Sequence, residues 1–127
     1  MAIDKYILLI DDDADELEIF TDALNKLQLS VSFYCEQVGT IDDAMIFLKK
    51  IRPDFIFLDF NMPLKNGLDG LEEIKRIKNY SGIPIILYSG FIDEEIDKKA
   101  MDMGASACLR KPYHTRTLTY KLSTILQ

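Results

Sequence analysis

Short apolar runs alternate with longer stretches of helical period along the chain, and the alternation is completed five times. The runs Tyr6 to Ile10, Val31 to Cys35, Phe55 to Leu58, Ile85 to Tyr88 and Ala107 to Leu109 read as strands. Several are almost wholly apolar, as strands covered on both faces of a parallel sheet must be. Between them, apolar residues recur three or four positions apart. Leu17, Phe20, Leu24 and Leu27 line one face of a first helix, and Ala44, Phe47, Leu48 and Ile51 line a second. Leu71, Ile74 and Ile77 mark a third, Ile92, Ile96, Ala100 and Met103 a fourth, and Leu118, Leu122, Ile125 and Leu126 a fifth. Thr40 with Asp43 fits a capping box, Pro53 ends the second helix, and Gly104 stops the fourth. Gly67 is expected to close the loop before the third helix, which leaves Gly70 inside it at a cost of about 1 kcal/mol. Repeated βα units predict the α/β class, with helices on both faces of a parallel sheet.

The length of 127 residues suits one domain spanning 1–127, and no repeat, low-complexity tract or linker divides it. With 15 basic and 21 acidic residues the net charge is -6, which leaves no broad positive surface for nucleic-acid phosphates or anionic membrane. The apolar runs are too short to span a bilayer. The start from Met1 lacks the pattern of a secretory signal, so a cytoplasmic address is expected. Cys35 and Cys108 then read as reduced core residues; with a single histidine they do not make a four-ligand zinc site.

Chemistry gathers at the strand ends. The first strand runs into Asp11, Asp12 and Asp13, the third into Asp59, the fourth into Ser89 and the fifth into Lys111. Open parallel sheets bind ligands in the crevice outside their carboxyl edges, so adjacent strands would bring these side chains together. Clustered carboxylates resist ionisation unless a hard divalent cation binds them, and Mg2+ is the natural candidate because it also bridges to phosphoryl oxygens. Asp59 then suits a nucleophile, with Lys111 and Ser89 offsetting charge on the transferred group. Helix capping by Asp11 and Asp12 is the plain alternative. A carboxylate directly after Phe55-Ile56-Phe57-Leu58 is harder to dismiss, because it should be partly buried and need partners.

The runs Ile10-Asp11-Asp12-Asp13, Leu58-Asp59-Phe60-Asn61-Met62-Pro63 with Asn66-Gly67, Ser89-Gly90 and Lys111-Pro112-Tyr113 resemble the receiver domain of response regulators over essentially the whole chain. The resemblance implies a three-layer flavodoxin-like (βα)5 fold, doubly wound, with strand order 2-1-3-4-5. It implies Asp59 as phosphoacceptor, Asp12 as a direct metal ligand, Asp11 as a ligand or the partner of one, and Asn61 as a ligand through its backbone carbonyl. Lys111 corresponds to the phosphate-binding lysine, Ser89 to the switch hydroxyl and Gly90 to the small residue beside it, while Asp13 is expected to cap the first helix. The implied function is a switch in a two-component phosphorelay, loaded with Mg2+ by a histidine kinase or phosphotransfer protein and read by a downstream protein target. Its chemistry would be limited to self-phosphorylation and self-dephosphorylation. With no effector domain after Gln127, output is expected to pass through binding, with Tyr113 and Tyr120 as aromatic anchors; a segment of a longer regulator would carry the same pattern.

Two departures stand out. Receivers usually carry an aromatic residue in the fifth strand where this chain has Cys108, so output is expected to depend on the loop from Ser89 to Asp93. That loop carries Phe91, whose apolar ring is expected to slow hydrolysis of an acyl phosphate. His114, at the start of the last helix, reads as a surface or capping residue. Three rival functions share parts of the pattern. A Mg2+-dependent aspartyl phosphatase would use Asp11 and Asp13, yet it needs a larger fold and Thr or Val where Ala14 stands. A calcium loop through Asp11, Asp13 and Asp15 meets Glu16 where its turn demands glycine. The third is a receiver-like interaction module independent of phosphorylation, against which the intact pocket argues.

Overall fold

The computed structural model describes residues 5–77, 82–112 and 114–127. Its elements run β1 (Lys5–Ile10), α1 (Glu16–Asn25), β2 (Phe33–Val38), α2 (Ile41–Leu48), β3 (Phe55–Leu58), α3 (Gly67–Lys75), β4 (Ile85–Ser89), α4 (Glu94–Asp102), β5 (Ala107–Arg110) and α5 (Thr115–Ile125). The strands form one parallel sheet in the order β2-β1-β3-β4-β5, the doubly wound arrangement expected.

Period-2 alternation in the strands divides the core into two layers. Leu8, Ile10, Ile56, Leu58, Ile85 and Leu87 face one way and pack on Ile41, Ala44 and Leu48 of α2, Leu71 and Ile74 of α3, and Ala100 of α4. Ile7, Leu9, Phe57, Ile86, Tyr88 and Leu109 face the other way, onto Phe20, Ala23 and Leu24 of α1 and Leu118 and Leu122 of α5. Helix ends follow local chemistry. Thr40 accepts a hydrogen bond from the Asp43 amide, Asp93 accepts one from Ile96, and Asn66 with Asp69 completes a capping box at α3. Gly104 ends α4 with φ +102, a conformation that glycine adopts without a Cβ penalty.

Several expectations need correcting. Leu27, Ile51 and Ile77 lie beyond the last residues of α1, α2 and α3. The second strand is Phe33–Val38 rather than Val31 to Cys35, because all six residues of β1 pair with it, from Lys5 opposite Phe33 to Ile10 opposite Val38. Its polar end is useful at a sheet edge: Glu36 accepts the Tyr6 hydroxyl at 2.7 Å, and the Gln37 amide donates to the carbonyls of Asp11 and Asp13. Ile92 lies before α4 and not in it, since Asp93 is the N-cap. Asp13 caps the turn before α1 and not the helix itself, accepting the Asp15 amide at 3.0 Å; Asp15 is the N-cap. Gly70 falls inside α3, as expected, whereas Gly67, expected to close the loop, is the first residue of the helix after its N-cap Asn66; packing accounts for both. A Cβ on Gly67 would lie 2.6 Å from the Asp59 carbonyl oxygen, and one on Gly70 would overlap Ile41.

Candidate functional site

The site lies where strand order reverses direction. α1 leaves β1 onto one face of the sheet and α3 leaves β3 onto the other, so the carboxyl ends of these two neighbours open a crevice. Ile10 and Leu58 are paired in register, and the Asp59 amide donates to the Ile10 carbonyl at 2.9 Å. Asp11 and Asp59 therefore emerge side by side. Ser89 pairs with Arg110 at the other side of the sheet, and its carbonyl accepts the Lys111 amide at 2.8 Å. Residues distant in sequence are delivered to one edge by strand register alone.

Carboxylate oxygens of Asp11, Asp12 and Asp59 all lie within 4.8 Å of one another. Asp11 is 0% and Asp59 6% exposed, whereas Asp12 sits at the solvent edge. Lys111 reaches into the cluster, its ammonium 2.6 Å from Asp11 Oδ2 and 3.4 Å from Asp59 Oδ2. Asp11 Oδ1 accepts the Asp13 amide at 2.9 Å, and Asp59 Oδ1 accepts the Asn61 amide at 3.2 Å. Burial pushes the Asp11 carboxyl up to about 6, with the Asp59 charge adding to the rise while Lys111 and the Asp13 amide oppose it. Burial works against the Lys111 ammonium, but the hydrogen bond and charge of Asp11, joined by Asp59 and Glu16, outweigh it and raise its pKa. Three oxygen donors, two buried and one open to water, suit a hard cation that keeps part of its hydration shell. A solvent-open groove of about 480 Å³, lined by Asp12, Phe60, Asn61, Met62, Pro63 and Asn66, borders the cluster.

Ser89 is fully buried, and its hydroxyl is the one buried side-chain polar atom without a hydrogen-bond partner among the described residues. An orphan of this kind in a packed core calls for an explanation. Cys108 is half-buried and packs on the same layer as Ile92 and Ile96. Phe91, 55% exposed, projects from the loop after β4, and Arg110 ties that loop to β5 by donating to the Ile92 carbonyl at 2.8 Å. Asp13 and Asp15 stand outside the acidic cluster, which leaves a calcium loop without its ligands. His114 is exposed at the N-cap of α5 with no side-chain capping bond, and Tyr120 is exposed on that helix. Tyr113 falls outside the described residues.

Two residues escaped the sequence reading. Glu16, the first residue of α1, is only 4% exposed; it accepts the Tyr88 hydroxyl at 2.8 Å and lies 3.6 Å from the Lys111 ammonium. Tyr88 stands in a strand buried on both faces, where a phenol needs a partner. That requirement was the available signal, and the acidic run from Asp11 to Glu16 was the obvious place to look.

No helix among the described residues is long and apolar enough to cross a membrane. The transcriptional regulatory protein FixJ of Bradyrhizobium diazoefficiens is 35% identical over 132 residues, covering 100% of this chain and 59% of that protein. The phosphate regulon transcriptional regulatory protein PhoB of Pseudomonas aeruginosa is 26% identical over 98% of this chain and 53% of its own length. The chain spans about half the length of the curated relatives it matches. Among solved structures, the phosphorylated cyanobacterial phytochrome response regulator RcpA is similar with TM-score 0.82 and 25% identity, over 97% of this chain and 91% of that one. The chemotaxis response regulator CheY4 of Vibrio cholerae shares the fold, with TM-score 0.82 and 22% identity over 97% and 99% of the two chains. The family model for the response regulator receiver domain matches residues 7–123, from the middle of β1 to the last turn of α5, and the chain belongs to that family.

Proposed function

We propose that residues 1–127 act as one receiver unit, a switch in which Asp59 accepts a phosphoryl group from a histidine kinase or phosphotransfer protein. Mg2+ would be held by Asp11, Asp12, Asp59 and the backbone carbonyl of Asn61. The observation that carries this reading is the meeting at one sheet edge of the nearly buried Asp59, two further carboxylates and the Lys111 ammonium.

The chain's own groups account for the chemistry. A carboxylate oxygen of Asp59 bonds to phosphorus as the bond between phosphorus and the donor's nitrogen or oxygen breaks, leaving an acyl phosphate on the protein. Bound Mg2+ would supply positive charge to the carboxylate and phosphoryl oxygens. Lys111, already 3.4 Å from Asp59 Oδ2, is placed to pair with a phosphoryl oxygen carried there. Ser89, which lacks a partner for its hydroxyl, gains one in the modified state, and that difference biases the two conformations. With Cys108 too small to follow the hydroxyl, the loop from Ser89 to Asp93 carries the change, held to β5 by Arg110. Output passes to a downstream protein through this side of the molecule. A cytoplasmic setting suits the two free cysteines.

Incubation with Mg2+ and a small acyl-phosphate donor, followed by intact mass, tests the reading. One labile phosphoryl adduct is expected, absent in Asp59→Asn. An adduct that survives the substitution, or steady turnover of assorted phosphate esters, would replace the switch with another chemistry.

A further inference from the structure

Lys111 has more anionic neighbours than the phosphoryl chemistry requires. Its ammonium carries three hydrogens and faces three carboxylates: Asp11 at 2.6 Å, Asp59 at 3.4 Å and Glu16 at 3.6 Å. Two of these belong to the acidic cluster, and a cation bound there would draw their oxygens away from the lysine. Glu16 is outside that cluster. It is the acidic neighbour that stays with Lys111 when the cation arrives.

Glu16 is also built to stay in place. Its Oε1 accepts the Tyr88 hydroxyl at 2.8 Å, which leaves Oε2 to face Lys111. The Tyr88 ring is wedged edge-on against Phe20 and Phe57, with centroids 5.7 and 6.0 Å away. Its face lies 5.4 Å from the Lys111 ammonium, within cation–π range. The Glu16 amide donates to the Asp13 carbonyl at 3.1 Å, so the backbone is fixed by the turn that also carries the acidic run. Burial of the tyrosine, reinforced by the charge and hydrogen bond of Glu16, raises the phenol pKa well above its ordinary value, so the hydroxyl remains a donor. A carboxylate excluded from water persists only where such partners are supplied.

We propose that Glu16, fixed by the Tyr88 hydroxyl, is the positioning residue that keeps the Lys111 ammonium aimed at Asp59 once a cation has taken the oxygens of Asp11. The proposal rests on the switch reading of the same pocket and adds two residues to it. Glu16 holds part of the ammonium's charge, so Lys111 competes less for the aspartates and the cation binds more readily. After transfer the same carboxylate limits how far the lysine can swing from the phosphoryl group.

The full chain tests it. Mg2+ is titrated against tyrosine fluorescence, which suits a chain with 6 Tyr and no Trp, and adduct formation from a small acyl-phosphate donor is timed by intact mass. Glu16→Gln is expected to raise the half-saturating Mg2+ concentration about five- to tenfold, and to slow transfer even at saturating Mg2+. In a Lys111→Met background most of the effect on Mg2+ should vanish, because Glu16 acts through the lysine. A purely structural Glu16 would lower the unfolding temperature alike in both backgrounds and leave the Mg2+ midpoint unmoved, and that result overturns the proposal. Tyr88→Phe keeps every charge; it should slow transfer several-fold while moving the Mg2+ midpoint by less than about twofold. If Glu16→Gln does not fold, an unaltered transfer rate in Tyr88→Phe overturns the proposal in its place. Wild-type protein that takes up neither Mg2+ nor phosphoryl sinks the switch reading and the proposal together. Normal wild-type behaviour with Glu16→Gln indistinguishable from it sinks the proposal alone.

Discussion

The environment of the Cys108 sulfur decides what it can do. Burial, then the hydrogen bond and charge of Asp97, push the thiol pKa up to about 12. Cys35 reaches about 12 as well, through burial and the charge of Glu36. Only the thiolate attacks electrophiles, and raising a thiol from 9 to about 12 lowers its thiolate fraction at pH 8 by about a thousandfold. Both cysteines should therefore alkylate at least about a hundredfold more slowly at pH 8 in the folded protein than in denaturant. Asp97→Asn should speed Cys108 and leave Cys35 unchanged; labelling followed by intact mass distinguishes the sites, and equal rates folded and unfolded would discard the account. The sign of the linkage follows. These raised values contribute stability that is fully present below the ordinary thiol range and is lost as pH climbs from 9 through about 12. The expectation of inert core thiols thus rests on surroundings that no sequence pattern displays, since Asp97 meets Cys108 from a different element.

At the scale of elements, α3 brings helix propensity and packing into conflict. Propensity alone says that alanine in place of Gly67 or Gly70 gains about 1 kcal/mol. Packing says the opposite, because a Cβ at Gly67 would lie 2.6 Å from the Asp59 carbonyl oxygen and 2.8 Å from Phe60 Cα. Those are backbone atoms of the loop that begins with Asp59, and they yield only if the loop moves. At Gly70 the clash falls on the side chain of Ile41, which is buried but has rotamers to try. Overpacking a filled core costs about 1–3 kcal/mol. Denaturant melts should accordingly rank Gly67→Ala as more destabilising than Gly70→Ala, and both below wild type; a gain at Gly67 would mean the loop is soft. The helical pattern put Gly70 in the right element but not for the right reason, and Gly67 one step too early, since the contact partners arrive from the loop after β3 and from α2. The same limit explains β2. The apolar run Val31 to Cys35 marks only part of it, because the strand includes Glu36 and Gln37, whose polar ends serve Tyr6 and the loop after β1. The strand-end acids and the lysine were legible because register in a parallel sheet is enough to bring them together. Glu16 and Tyr88 were not, because their bond spans helix to strand and depends on which way a side chain turns.

For the molecule as a whole, a net charge of -6 and an acidic pocket point the same way: the folded state without a cation holds like charges closer than an unfolded chain would. Lys111 offsets part of this, but it is one ammonium among Asp11, Asp59 and Glu16, with Asp12 beside them. A cation that binds the folded state alone adds RT ln(1 + [L]/Kd), about 2.7 kcal/mol at a hundredfold excess over Kd. Asp12 is the informative residue to change, because it is exposed and its removal leaves no cavity. Asp12→Asn takes one charge from the crowded set, so the cation-free protein should unfold at an equal or higher temperature than wild type. The rise in unfolding temperature on adding Mg2+ should meanwhile shrink to less than about half if Asp12 is the direct ligand proposed. Thermal melts with and without Mg2+ at fixed ionic strength separate the two effects, because general screening by salt acts alike on both proteins while ligation favours the wild type. A cation-free Asp12→Asn that melts well below wild type would mean that Asp12 is held by attraction rather than crowded by repulsion. The pocket would then be stable before any ion arrives, and Mg2+ could not be what relieves it.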